Sequence, residues 1–222
     1  MKRSREDQRA GMEFSKAFGA TFREVGSSER DGKPTRIVRA SRTYATSQND
    51  LWSALTEMER ISRWFAEVSG DFGRGGRFAI KDNADGEITA CDPPKTLALT
   101  WEFSANISWV TVSVEAAQDG ALLTLEHELP TDKESEAHWA QYGPGATGVG
   151  WDLAFLGLDV HFSVDGQPSR KAGGAWAETE PGKRALRAWA ESWGEAHVKA
   201  GEPALSAKDM ADRTAGFYTG ES

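Results

Sequence analysis

The chain has 222 residues, 39% hydrophobic and 27% charged, the proportions of a globular protein long enough to bury a core without staples. Its formal net charge of −8 excludes a general nucleic-acid binder, which needs cationic surface to displace counterions from phosphates. No apolar run approaches a membrane span and no signal-peptide core opens the chain, so a cytoplasmic protein without membrane insertion is expected.

Residues 1–17 are charged and weakly patterned and read as a solvated N-terminal arm. Phe18 to Val25 reads as an edge strand, Gly26 to Pro34 as a turn-rich stretch, and Arg36 to Tyr44 as a second strand with Val38, Ala40 and Tyr44 on one side. Ser47 caps a helix, with Asp50 in its first turn and Leu51, Trp52 and Leu55 at helical spacing. Met58, Ile61, Trp64 and Phe65 continue the period in a second short helix. Ser69-Gly70-Asp71 and the glycines at 73, 75 and 76 then break the chain and lead into a strand.

From 77 to 129 the period changes to two. Phe78 and Ile80 come first, then a turn at Asn83 to Gly86, then Ile88 and Ala90, stopped by Pro93-Pro94. Leu97, Leu99, Trp101 and Phe103 share a face, as do Val110, Val112 and Val114 after a turn near Asn106. Asp119-Gly120 signals a hairpin, after which Leu123, Leu125, His127 and Leu129 point the same way. This is an antiparallel meander with one broad apolar face.

Residues 145–162 form a long helix carrying four stripes. Val149, Leu153, Leu156 and Val160 make one apolar stripe, and Trp151, Phe155, Leu158 and Phe162 a second, nearly opposite. Between them lie an acidic stripe, Asp152 and Asp159, and a small-residue stripe, Gly150, Ala154 and Gly157. The pattern leaves open which stripe faces the sheet; if the Leu153 stripe does, something else must cover the Trp151 stripe. The candidate is the remaining chain: a polar linker from Gly166 to Gly174, a helix over 183–199 carrying Leu186, Trp189, Trp193 and His197, and a short helix around 206–215 before Phe217-Tyr218. The expected division is an arm at 1–17, a main domain at 18–163, and a linker and helical extension at 164–222.

No phosphate loop, dinucleotide fingerprint, HExxH or nucleophile elbow occurs, and four scattered histidines with one cysteine give no metal-ligand spacing, so neither cofactor nor metal is expected. Cys91, at the end of its strand with no base nearby in sequence, reads as a structural thiol. His127 is open to two readings, a buried histidine satisfied by a neighbour or a polar anchor inside a pocket. Trp64 and Trp101 are either core filling or pocket walls. Asp152 is either solvated or salt-bridged, or a general acid.

The stretches RASRTYATSQNDLWSALTEMERISRWF, GDFGRGGRF, CDPPKTLALTWEF and GPGATGVGWDLAFLGLDVHF resemble bacterial proteins similar to the C-terminal domain of the Hsp90 ATPase activator, grouped with polyketide cyclases in the START-like superfamily. Trp64-Phe65 meets the family's aromatic pair after the second helix, and Trp101-Glu102 its Trp-Glu pair in the central strand. The resemblance covers about residues 35–162. It implies an α+β helix-grip (START/Bet v 1-like) fold, a curved antiparallel sheet wrapped around a long helix, with a cavity between them.

The expected function is therefore binding of a small apolar or amphipathic molecule in that cavity. Its walls are expected from Trp64, Phe65, Phe78, Trp101, Phe103, Val112, Leu125, His127, Leu153 and Leu156. One alternative is a cyclase- or hydrolase-like enzyme using His127 or Asp152 as general base in the same cavity. Another is a co-chaperone-like interaction module, with a protein partner or a second copy of the chain.

Overall fold

The structure, a computed structural model, describes residues 21–104, 106–163 and 170–221. The arm expected at 1–17, the strand start expected at Phe18 and the linker's 166–169 lie outside these residues.

The first hairpin joins β1 (Phe22–Arg30) to β2 (Lys33–Tyr44). Its turn is the pair Asp31-Gly32, both at positive φ (52° and 75°), the left-handed twist that suits a two-residue hairpin. The stretch expected as a long turn from Gly26 to Pro34 is thus strand almost throughout. Its polar residues pair across the ladder, Ser28 with Thr35 and Glu29 with Pro34.

Ser47 caps α1 (Gln48–Thr56) by accepting from the backbone N–H of Asp50, and α2 (Met58–Trp64) follows directly. Six strands complete the sheet: β3 (Val68–Gly70), β4 (Arg77–Ile80), β5 (Asp85–Asp92), β6 (Thr96–Phe103), β7 (Asn106–Ala117) and β8 (Gly120–Pro130). The eight-stranded order is β1-β2-β8-β7-β6-β5-β4-β3, antiparallel at every pairing. β3 forms where a break was expected, its three residues pairing with the end of β4. The turn expected at Asn83 to Gly86 closes earlier, since Asp85 and Gly86 already pair with β4.

Register aligns one apolar face. Val38, His127, Val110 and Leu99 stand across from one another on β2, β8, β7 and β6, and Ala40, Leu125, Val112 and Leu97 form the next row. A helix absent from the expectation follows, α3 (Lys133–Tyr142), whose cap Asp132 accepts from the backbone N–H groups of Glu134 and Ser135. Then comes the long helix, α4 (Gly145–Ser163). Three helices end the chain: α5 (Arg170–Ala177), α6 (Glu180–Lys199) and α7 (Ala204–Thr219). α5 occupies part of the stretch read as linker, and α7 runs well past both expected ends, so Phe217 and Tyr218 are helical.

The long helix lies across the apolar face, and of its two apolar stripes the one that turns to the sheet is not the Leu153 stripe from which two wall residues were expected. Its Trp151 stripe meets the sheet: the Phe155 and Phe162 rings pack on Tyr44 of β2, and Tyr44 donates its hydroxyl to the Phe155 carbonyl. Its acidic stripe also points at the sheet. Asp152 pairs with Arg23 of β1 at 2.6 Å, and Asp159 with Arg42 of β2 at 2.5 Å. Helix α6 packs on the adjoining flank, at Gly148 and Asp152, where the Trp193 indole N–H donates to Asp152 Oδ2 at 2.8 Å. Val149 and Leu156 neighbour Asp152 at i−3 and i+4 and are buried, with Leu153 half-buried against the core. Two cations on the sheet decide the orientation: a buried Arg23 or Arg42 without a carboxylate would cost far more than exchanging one apolar stripe for another.

This is the helix-grip fold, α+β, with added C-terminal helices. No described helix is long and apolar enough to cross a membrane.

Candidate functional site

A cleft of about 620 Å³ opens between one end of the sheet and the first half of α4. Strands β6, β7 and β8 supply Trp101, Phe103, Ile107, Ser108, His127 and Leu129; α4 supplies Ala146, Gly150 and Trp151. Phe65, at the end of α2, closes one flank. Trp139 of α3 and Tyr218 of α7 close another, the latter held by donating its hydroxyl to the Ala146 carbonyl at 2.7 Å. Cavities of this size, apolar with few polar points, are the usual form of a small-molecule site.

The aromatic walls touch one another. Trp101 and Trp151 meet edge to face with centroids 5.2 Å apart, and Phe65 stacks on Trp151 at 6.4 Å. Such offset and edge contacts fix the rings without filling the space between them. Phe103 and Ile107 stand at the mouth, both about half exposed. The polar side chains Arg36, Asn83, Glu134 and His138 line the outer part.

Deeper in, a chain of hydrogen bonds crosses the wall. The Trp151 indole N–H donates to His127 Nδ1 at 3.1 Å, His127 Nε2 lies 2.7 Å from Ser108 Oγ, and Ser108 donates to the Trp101 carbonyl at 3.2 Å. Indole can only donate, so Nδ1 accepts, and the neutral ring carries its proton on Nε2 and gives it to Ser108. Burial pushes the His127 imidazole down to about 3, so it is neutral in ordinary solution. Both ring nitrogens are used, and the Nε2 facing Ser108 has no lone pair with which to take a proton. The arrangement is not a nucleophile with its base. Asp152 lies outside the cleft lining, buried in its pair with Arg23; burial raises its carboxyl above the usual range, with Arg23 and Trp193 opposing. Among the described residues, no three His, Cys, Asp or Glu side chains gather closely enough to hold a metal ion.

Of the expected wall residues, Phe65, Trp101, Phe103 and His127 line the cleft. Trp64 does not; its indole donates to the Ala54 carbonyl at 2.9 Å while its ring packs on Phe65. Phe78, Val112 and Leu125 are buried in the continuous core, where the sheet and helix pack shut. Leu153 and Leu156 are not lining residues either, because the Trp151 stripe occupies the sheet side of α4. Trp151, Ser108, Trp139 and Tyr218 were not foreseen as lining. Trp151 lies on one of two apolar stripes between which the sequence does not choose, Ser108 carries no signal within an apolar alternation, and the last two belong to helices whose packing no local pattern specifies.

The chain's similarities agree with this architecture. Residues 45–163 match the model of the family described as activator of Hsp90 ATPase homolog 1-like protein. The crystal structure of CalU16 from Micromonospora echinospora superposes with a TM-score of 0.62 at 30% identity, over 80% of this chain and 98% of that one. Its solution NMR structure gives 0.63 at 32% identity, over 83% and 98%. DynU16, a protein in the dynemicin biosynthetic locus, gives 0.50 at 25% identity, over 60% of this chain and 49% of its own. No curated protein matches the chain. A helix gripped by an eight-stranded sheet, a cleft at the same seam, and a family match over more than half its length together make this chain a member of the activator of Hsp90 ATPase homolog 1-like family.

Proposed function

We propose that the protein binds a small, largely aromatic amphipathic molecule in the cleft between α4 and the sheet, and does not transform it. The observation that carries this reading is the cleft's inner wall: Trp101, Trp151 and Phe65 present flat apolar surface, while His127 is spent on internal hydrogen bonds. An aromatic guest between such rings gains by excluding water and by edge contacts. Its polar end would lie outward, toward Arg36, Glu134 and His138. The similarity to DynU16, a protein in a biosynthetic locus, fits a natural product or its precursor as guest. The enzyme reading finds less support, because neither His127 nor Asp152 is placed to accept a proton from a guest.

The test is titration with the uncharged dye N-phenyl-1-naphthylamine, together with native mass spectrometry of the protein as purified. One dye should bind per chain, and Ala146→Trp, which fills the cleft from α4, should abolish binding while the fold is kept. Dye binding that Ala146→Trp leaves unchanged would place the guest elsewhere.

A further inference from the structure

The polarity of the wall hydrogen bonds says what the guest must bring. Ser108 and His127 are the buried polar side chains among those lining the cleft. The donor-only indole of Trp151 sets the direction of the whole chain. His127 must give its proton to Ser108, and the single hydroxyl proton of Ser108 is directed at the Trp101 carbonyl, its partner in the β6–β7 ladder. A serine oxygen has two lone pairs, and only one is taken by His127. The Ser108–His127 chain is therefore left with an acceptor and no donor to offer; the indole N–H groups of Trp101 and Trp139, also in the lining, lie outside it.

Resting on the binding reading above, we propose that Ser108 selects guests carrying a hydroxyl or N–H donor on the aromatic body, a phenol above all, over guests that carry only an ether or a carbonyl there. A phenol O–H completes the second lone pair of Ser108 Oγ. An ether oxygen at the same place meets a lone pair with a lone pair and leaves both acceptors dry, which costs as an unmade buried hydrogen bond does. For Ser108 to serve an acceptor it must turn its proton away from the Trp101 carbonyl, removing that group's side-chain partner.

The probes are 2-naphthol, 2-methoxynaphthalene and 2-acetylnaphthalene, which share one ring system. Titrated into the intact protein by tryptophan quenching, 2-naphthol should bind roughly tenfold tighter than the other two. Ser108→Ala should bring the three together, mostly by weakening 2-naphthol. Ser108→Cys, close in shape with a weaker acceptor, should narrow the gap in the same direction and covers the case in which the alanine variant does not fold. Equal binding of all three to the unmodified protein, or tighter binding of 2-acetylnaphthalene, would overturn the donor assignment and leave the binding reading intact. So would a preference for 2-naphthol that survives both substitutions. Failure of all three to bind would sink the binding reading and this one with it.

Discussion

Trp151 of the long helix donates its indole N–H to His127 Nδ1 of β8, 3.1 Å away, and the two rings meet edge to face with centroids 5.8 Å apart. This contact joins helix to sheet at the closed end of the cleft. It also fixes the histidine tautomer and thereby the direction of every hydrogen bond behind it. Trp151→Phe keeps an aromatic ring but strips Nδ1 of its donor. A buried acceptor left unpaired costs about 1–3 kcal/mol, and the smaller ring adds to that. Urea denaturation should show a loss of at least this size, and an unchanged midpoint would mean that the contact carries no stability.

The burial of His127 gives a pH signature. Its imidazole falls from an ordinary 6.5 to about 3 in the folded protein, so between these values the unfolded chain binds a proton that the folded one refuses. That contribution is fully present above about 6.5 and is lost as pH falls toward 3. Asp159 has the opposite sign: burial lifts it from 3.8 to about 6, so its contribution is present at low pH and lost as pH rises through 6. His161 and His197 are also lowered by burial. A difference curve between the unmodified protein and His127→Phe cancels all three. The variant's unfolding free energy should fall less steeply below pH 6.5, and parallel curves would contradict a neutral buried His127.

Arg23 and Asp152 form a pair with side chains 8% and 1% exposed, completed by the Trp193 indole. Removing one member leaves the other buried and uncompensated, a loss of about 3–5 kcal/mol. Asp152→Leu and Arg23→Met should each show it in thermal or urea unfolding, and the double variant Arg23→Met/Asp152→Leu should lose less than the two singles summed. Strict additivity would mean that the two groups do not interact.

Gly148 of α4 lies directly under the Trp193 indole of α6. A Cβ there would land inside the Trp193 indole, itself fully buried, so the ring or a helix would have to shift. Gly148→Ala should destabilise by about 1–3 kcal/mol through overpacking, in spite of alanine's better helix propensity. A stabilised Gly148→Ala would show that α6 does not rest on α4 as described.

What the sequence disclosed follows from where its signals are local. The alternation from Phe78 to Leu129 and the cap at Ser47 are properties of neighbouring residues, and they place the meander and α1 closely. Asp31-Gly32 was equally local and outweighs the polar residues around it, which is why β1 and β2 run on into the expected turn. Asp132, ahead of a run rich in Glu, Ala and Gln, was a readable cap for α3. The orientation of α4 was not readable, because two apolar stripes compete and the choice rests on Arg23 and Arg42, more than a hundred residues away. The cleft inherits that uncertainty. Its sheet residues Trp101, Phe103 and His127 could be named from alternation, whereas Trp151 and Tyr218 depend on which way helices turn once packed.

The most direct test of the cleft as the binding site is to follow the indole N–H signals of the nine tryptophans by ¹H–¹⁵N NMR while 2-naphthol is added. The signals of Trp101, Trp139 and Trp151, which line the cleft, should move together and saturate at one guest per chain. Those of Trp52, Trp189 and Trp193, buried away from it, should stay in place. A guest that binds and shifts the second group while leaving the first unmoved would contradict a site between α4 and the sheet.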